Sequence, residues 1–322
     1  MKIKILLTIT LNFLLLYVFL LCIDYGIFSN YRIDFNKSQE NSNFARAHGN
    51  FPYYMIFGSN HKTEDSHASF HMNRSFRGNY GSSNVAPSII VFGCSFAYGS
   101  FIQDKETFAY KLANLTKRPV YNRSIAGWGI QHIYFLTHNE TFYEGIEKTP
   151  EYAIYIFIPD HMRRMRLLVA HPFSSGRYYN LTLKNHQLSE LKPPIYLLYS
   201  SYIGKAICEK YTSVKTSPSN MEENWELAEK ILVESREALK KRYPHIKFVI
   251  LKYYGVDMNP LPWTDNEIFW DRLKKDGFII VDSRDLTGTV LNKEEDLARD
   301  YLHPSGKAWD KVIPPLIKKL KL

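Results

Sequence analysis

The chain has 322 residues, 45% of them hydrophobic and 15% aromatic, which excludes wholesale disorder and leaves room for one main core with insertions. The formal net charge of +9 comes without an RNP motif, zinc-finger spacing or a long Lys/Arg run; that excludes the usual nucleic-acid readers and suggests a basic face near anionic lipid or glycan. Three cysteines, Cys22, Cys94 and Cys208, are too few and too scattered for a disulfide framework or a zinc site.

Lys2 and Lys4 precede a charge-free run over 5–23, broken only by Thr8, Thr10 and Asn12. Such a run is long enough to span a ~30 Å hydrocarbon core as a helix. No A-x-A-like tripeptide follows, and Phe19-Leu20-Leu21 before Cys22 fits a lipoprotein signal poorly, so an uncleaved anchor over 1–23 is expected. With both lysines ahead of the helix and Asp24 behind it, the body is expected on the extracytoplasmic side, as a single-pass membrane protein. Residues 24–86 show no sustained period and read as a stalk and lead-in.

Strand-like and helix-like segments then alternate. The run SIIVF at 88–92 predicts a strand. Over 106–117 Phe108, Leu112 and Leu115 share one helical face. A short strand is predicted at 119–122, a helix at 131–143 and a buried strand at 152–158 (YAIYIFI). After 165 the pattern breaks, and 165–220 reads as an insertion that could cap the site. A long helix follows at 222–242, then a strand at 247–253, a helix at 266–275, a strand at 278–281 and a last helix at 306–320. Strands that are continuous apolar runs between helices suit an α/β domain over 87–322. It should be a three-layer, doubly wound (flavodoxin-like) parallel sheet with helices on both faces.

The apolar strand at 88–92 ends in Gly93-Cys94-Ser95. In a doubly wound sheet this places Ser95 beyond a strand's carboxyl end, where ligands bind. Ser95 is a candidate nucleophile with its own N–H able to hold an oxyanion; the plainer reading is a turn with an incidental serine. Near the C-terminus, Asp300 and His303 lie three residues apart. Asp300 would hold one imidazole nitrogen so that the other serves as base. The plainer reading is that both cap the last helix.

Gly93-Cys94-Ser95-Phe96 resembles the first block of the SGNH (GDSL-like) hydrolases, usually spelled Gly-Asp-Ser-Leu, and 98–108 resembles its continuation. Asp300-Tyr301-Leu302-His303-Pro304 is similar to the last block, and 121–129 is similar to the second, with Gly127 at the oxyanion position and Gly129 as the near alternative. The lead-in at 69–78 also resembles that of envelope-associated members. The likeness runs over 69–320 apart from the insertion and rests on short motifs.

The resemblance implies a triad of Ser95, Asp300 and His303, oxyanion donors at Ser95 and Gly127, and no cofactor or metal. It also implies action on small acyl esters, often acetyl groups on carbohydrate, and so an esterase or O-acyltransferase at the cell envelope. The expected partners are an acylated small molecule or carbohydrate and the membrane, not nucleic acid. One block departs. The third, Gly-x-Asn-Asp, should follow the strand at 152–158, but the chain reads Pro159-Asp160-His161. Proline has no N–H to give; His161 is a candidate third donor, and a two-donor hole or a different arrangement are the alternatives. Trp128 would stack on a sugar or simply pack, and Arg163, Arg164 and Arg166 read as a solvated loop or an anion-facing cluster. A non-catalytic glycan-binding or assembly module on the same scaffold is the alternative function.

Overall fold

The computed structural model describes residues 78–81, 87–126, 128–165, 181–184, 187–190, 221–255, 266–287, 291, 294–300 and 302–322. All of these belong to one compact unit. The expected anchor at 5–23, most of the stalk, and much of the insertion lie outside the described residues, as do Gly127 and Arg166. Among the described residues no helix is long and apolar enough to cross a membrane.

Eight strands are described: β1 (Gly78–Tyr80), β2 (Ser88–Phe92), β3 (Val120–Asn122), β4 (Pro150–Phe157), β5 (Leu181–Lys184), β6 (Gln187–Glu190), β7 (Lys247–Lys252) and β8 (Ile279–Asp282). The helices are α1 (Ser95–Tyr98), α2 (Phe108–Thr116), α3 (Gln131–Thr137), α4 (Asp160–Met165), α5 (Met221–Arg242), α6 (Glu267–Lys275), α7 (Ser283–Thr287) and α8 (Gly306–Leu320).

Six strands form one sheet in the order β1-β3-β2-β4-β7-β8. The five from β3 to β8 are parallel, and counted along the chain their order is 2-1-3-4-5, the doubly wound arrangement. The order reverses between β2 and β4, so the ligand crevice of such a sheet opens beside the end of β2.

Strand geometry sends alternate side chains to opposite faces, and here both faces are buried. Ile89 and Val91 of β2 join Ile154, Ile156, Val249 and Leu251 under α2 and α8, where Trp309 is the largest fully buried side chain. Ile90 and Phe92 join Tyr155, Phe157, Phe248 and Ile250 under α3, α5 and α6. The apolar runs therefore carry no polar alternation, as expected of strands covered on both sides.

Two expectations are corrected. The sheet is mixed, because β1 pairs antiparallel with β3 (Gly78 opposite Asn122, Tyr80 opposite Val120). This edge strand lies inside the segment read as lead-in. Gly-Asn-Tyr has no apolar run, and its pairing is held from a distance by the Arg123 guanidinium, which donates to Asn79 Oδ1 at 3.0 Å. The helix expected over 131–143 stops at Thr137, whose hydroxyl donates to the Ile133 carbonyl at 2.9 Å, and a 3₁₀ turn (Glu140–Tyr143) replaces its second half. Within the expected insertion, where the sequence pattern breaks, β5 and β6 form an antiparallel hairpin.

Candidate active site

The nucleophile turn is dictated by Gly93. Its φ is +154°, and a Cβ there would lie 2.7 Å from Ala97 Cβ and 3.1 Å from the Ile156 carbonyl oxygen, so only glycine fits. Cys94 takes the extended N-cap conformation and Ser95 opens α1. As the first helical residue, Ser95 has no helical acceptor for its N–H. The carbonyl of Ser95 accepts from the Gly99 and Ser100 N–H groups, both at 3.0 Å, which closes the turn beneath the hydroxyl.

The second half of the site comes from a tight loop before α8. Ala298 N–H donates to the His303 carbonyl at 2.7 Å, Ser305 N–H donates to the Asp296 carbonyl at 2.9 Å, and Leu297 bridges Pro304. Lys311 Nζ holds the buried Asp296 carboxylate at 2.7 Å. Ser305 is the N-cap of α8, its Oγ accepting from Ala308 N–H at 3.3 Å. The helix cap is thus a different residue, and Asp300 is turned to the imidazole.

Asp300 Oδ2 accepts from His303 Nδ1 at 2.5 Å, and Oδ1 accepts from the backbone N–H groups of His303 (3.1 Å) and Leu302 (3.3 Å). Burial pushes this carboxyl upward, but the hydrogen bond and charge of His303, with the two backbone donors, outweigh it and hold the group below the usual carboxylate range. With Nδ1 donating, Nε2 is left to accept from Ser95 Oγ, 2.7 Å away. Ser95 and His303 are 208 residues apart in the chain and both are buried.

Two aromatic rings contact that imidazole. The Phe96 centroid lies 4.8 Å from the His303 ring and the Phe101 centroid 4.9 Å. Phe96 sits in the stretch similar to the first SGNH block and Phe101 in the continuation of it, and the sequence assigns neither a role. Asn122 was missed as well. From the end of β3 its Nδ2 donates to the Ala97 carbonyl of α1 at 3.1 Å, while its Oδ1 accepts from Ser124 N–H at 3.1 Å. Beyond β3, Arg123 N–H donates to the Val91 carbonyl and Ile125 N–H to that of Gly93, so the segment carrying Ser124 to Ala126 runs beside the nucleophile turn.

Gly127, the expected second oxyanion donor, lies outside the described residues. Gly129 donates its N–H to His132 Nδ1 at 3.0 Å, and the half-buried Trp128 stacks on that histidine, 5.2 Å between centroids. Pro159 is buried at the end of β4. His161 is fully buried. Its ring stacks on Tyr155 and meets Phe157 edge-on, its Nδ1 is 2.5 Å from the Tyr155 hydroxyl, and Nδ1 also accepts from Ile158 N–H at 3.4 Å. With Nδ1 accepting from the Ile158 amide, Nε2 is the ring nitrogen left to donate. Arg163 and Arg164 fall on α4. Among the described residues no group of three or more His, Cys, Asp or Glu could hold a metal.

No protein-family profile and no curated protein matches the sequence. Among solved structures, the chain is similar to a member of the lipolytic protein G-D-S-L family from Veillonella parvula (10% identity over 73% of this chain and 99% of that one, TM-score 0.44). It is also similar to a family 3 carbohydrate esterase from Clostridium thermocellum (11%, 72% and 94%, TM-score 0.41) and to an acetyl xylan esterase from Butyrivibrio proteoclasticus (11%, 73% and 63%, TM-score 0.42).

Proposed function

We propose that the chain is a serine-dependent esterase or O-acyltransferase that acts on small acyl esters of cell-envelope carbohydrate, from an extracytoplasmic body anchored by residues 1–23. One observation carries the chemistry: a buried serine hydroxyl 2.7 Å from an imidazole whose other nitrogen is bound by a buried carboxylate. Such a chain of groups makes a poor nucleophile into a good one.

His303 Nε2 takes the Ser95 proton as Oγ bonds to the acyl carbonyl carbon, and the carbonyl oxygen becomes an oxyanion. The N–H groups of Ser95 and Gly127 hold that oxygen, with His161 Nε2–H assigned as the third donor in place of the missing asparagine. The tetrahedral adduct then breaks its bond to the leaving alkoxide, which receives the proton from His303. Water or a sugar hydroxyl repeats the sequence in reverse, giving hydrolysis or transfer. Asp300 fixes the tautomer and stabilises the imidazolium throughout. The carbohydrate and envelope parts of the reading rest on the sequence resemblance and on the apolar run at 5–23.

A non-catalytic module on the same scaffold is the rival, favoured by Pro159, which removes one expected oxyanion contact. Treating the full-length chain with a fluorophosphonate probe separates the two. In an activated site Ser95 Oγ bonds to phosphorus and fluoride leaves; labelling should appear in the wild type and vanish in Ser95→Ala and His303→Ala. Folded wild type that takes no label would overturn the esterase reading.

A further inference from the structure

Outside glycine, three described residues have positive φ: Lys117 at +58°, Lys321 at +55° and Phe101 at +68°. The two lysines are the left-handed C-caps of α2 and α8, a common way for a helix to end. Phe101 caps no helix and is a bulky residue in a conformation that glycine adopts without strain. Its neighbour Gly99, at +82°, already ends α1. Strain of this kind persists only where the surroundings enforce it, and it collects at functional sites.

What the conformation achieves is visible in the ring. Phe101 is half-buried, packs against the core under α2 and α8, and lies 4.9 Å from the His303 imidazole with the two planes at 53°. Phe96, on α1 beside Ser95, approaches the same imidazole at 4.8 Å and 47°. Both rings come from the nucleophile's own segment, while His303 arrives from the far end of the chain. The two hydrogen bonds of the imidazole, Nδ1 to Asp300 and Nε2 to Ser95 Oγ, lie at opposite ends of the ring and leave it able to rock about the line that joins them.

We propose that Phe101 is a positioning residue, held in a strained backbone conformation so that its ring, with that of Phe96, keeps the His303 imidazole in line with Ser95 Oγ. This rests on the serine-hydrolase reading above. Phe101 touches no reacting atom; it acts through His303.

The test compares fluorophosphonate labelling kinetics of full-length wild type, Phe101→Gly and Phe101→Tyr, with Ser95→Ala as the blank and thermal midpoints measured alongside. The glycine variant relieves the backbone strain and removes the ring. Its midpoint registers relieved strain against lost packing, while the limiting labelling rate of the folded protein falls about tenfold or more, as sub-ångström misplacement allows. The concentration dependence of labelling should stay unchanged, because the ring aligns the base and does not bind the probe. Phe101→Tyr should restore the wild-type rate. A folded Phe101→Gly protein that labels at the wild-type rate would overturn the proposal, as would a change confined to probe affinity. Should the glycine variant not fold, Phe101→Leu, which keeps apolar bulk and loses the aromatic plane, decides the question by the same rate. Wild type that takes no label defeats the esterase reading first; wild type and Phe101→Gly labelling alike defeats this proposal alone.

Discussion

Asn122 donates through Nδ2 to the Ala97 carbonyl at 3.1 Å, joining the end of β3 to the short helix that carries Ser95. The same side chain accepts from Ser124 N–H, so one buried carboxamide ties the nucleophile turn to the segment leading to Gly127. Asn122→Ala leaves a buried carbonyl and a buried amide without this partner, at about 1–3 kcal/mol. We expect a lowered urea midpoint together with slower fluorophosphonate labelling of the protein that remains folded. Labelling at the wild-type rate in a destabilised variant would show that the tie serves the fold and not the site.

Gly93→Ala should be among the most damaging single substitutions. Its methyl would fall 2.7 Å from Ala97 Cβ on a backbone at φ +154°, and the neighbouring α1 has to shift to admit it. Strain and overpacking together predict a loss of about 1–3 kcal/mol and displacement of Ser95 from His303. Denaturant titration with parallel probe labelling would register both effects, and an unchanged protein would contradict the assigned turn.

Asp300→Asn should leave the fold intact and slow labelling by about 10³- to 10⁴-fold, the scale seen when a triad loses its tautomer control. The variant also tests acid stability. Because the folded carboxyl titrates below its ordinary value, its contribution is fully present above the ordinary carboxylate pKa and is lost as pH falls through the depressed one. Urea midpoints measured between neutral pH and about pH 3 should therefore fall less steeply in Asp300→Asn than in wild type. Equal slopes would mean that His303 does not favour the ionised carboxyl.

His161→Phe probes the third oxyanion donor. The replacement suits an aromatic stack already formed by Tyr155 and Phe157, so the protein should fold. If His161 Nε2–H holds the oxyanion, turnover of a small acetyl ester falls about 10²- to 10³-fold. A rate within about twofold of wild type, far short of that loss, would leave the hole with two donors.

Much of this architecture was readable in advance, and the reasons differ by element. β2, β4 and β7 are buried on both faces, so they stand out as apolar runs whatever their neighbours are. α6 begins at its capping residue, Asn266, which accepts from Phe269 N–H at 3.2 Å, a local device visible in sequence. β1 has no such local cause. It exists through pairing with β3 and the reach of Arg123, both of them long-range. In the site, the approach of Asp300 to His303 follows from three-residue spacing, whereas no spacing could announce Phe101, whose importance lies in a backbone angle and a contact across the fold. His161 was marked only as the nearest donor-bearing side chain after Pro159; its place in an aromatic stack depends on Tyr155 and Phe157, which alternate along β4 onto the same side.

The two hydrogen-bonding partners at the centre of the site ride on very different parts of the molecule. Ser95 follows directly from β2, a strand hydrogen-bonded on both edges and roofed by helices on both faces, so its amides should open only when the whole domain does. His303 sits in a loop held by a few turn bonds and the Asp296–Lys311 pair. In native-state hydrogen exchange the amides of Ile89 to Phe92 should be the slowest, and those of Ala298 and His303 distinctly faster. Loss of activity under gentle denaturation would then be a local event on the histidine side, reversible and complete before the sheet begins to melt.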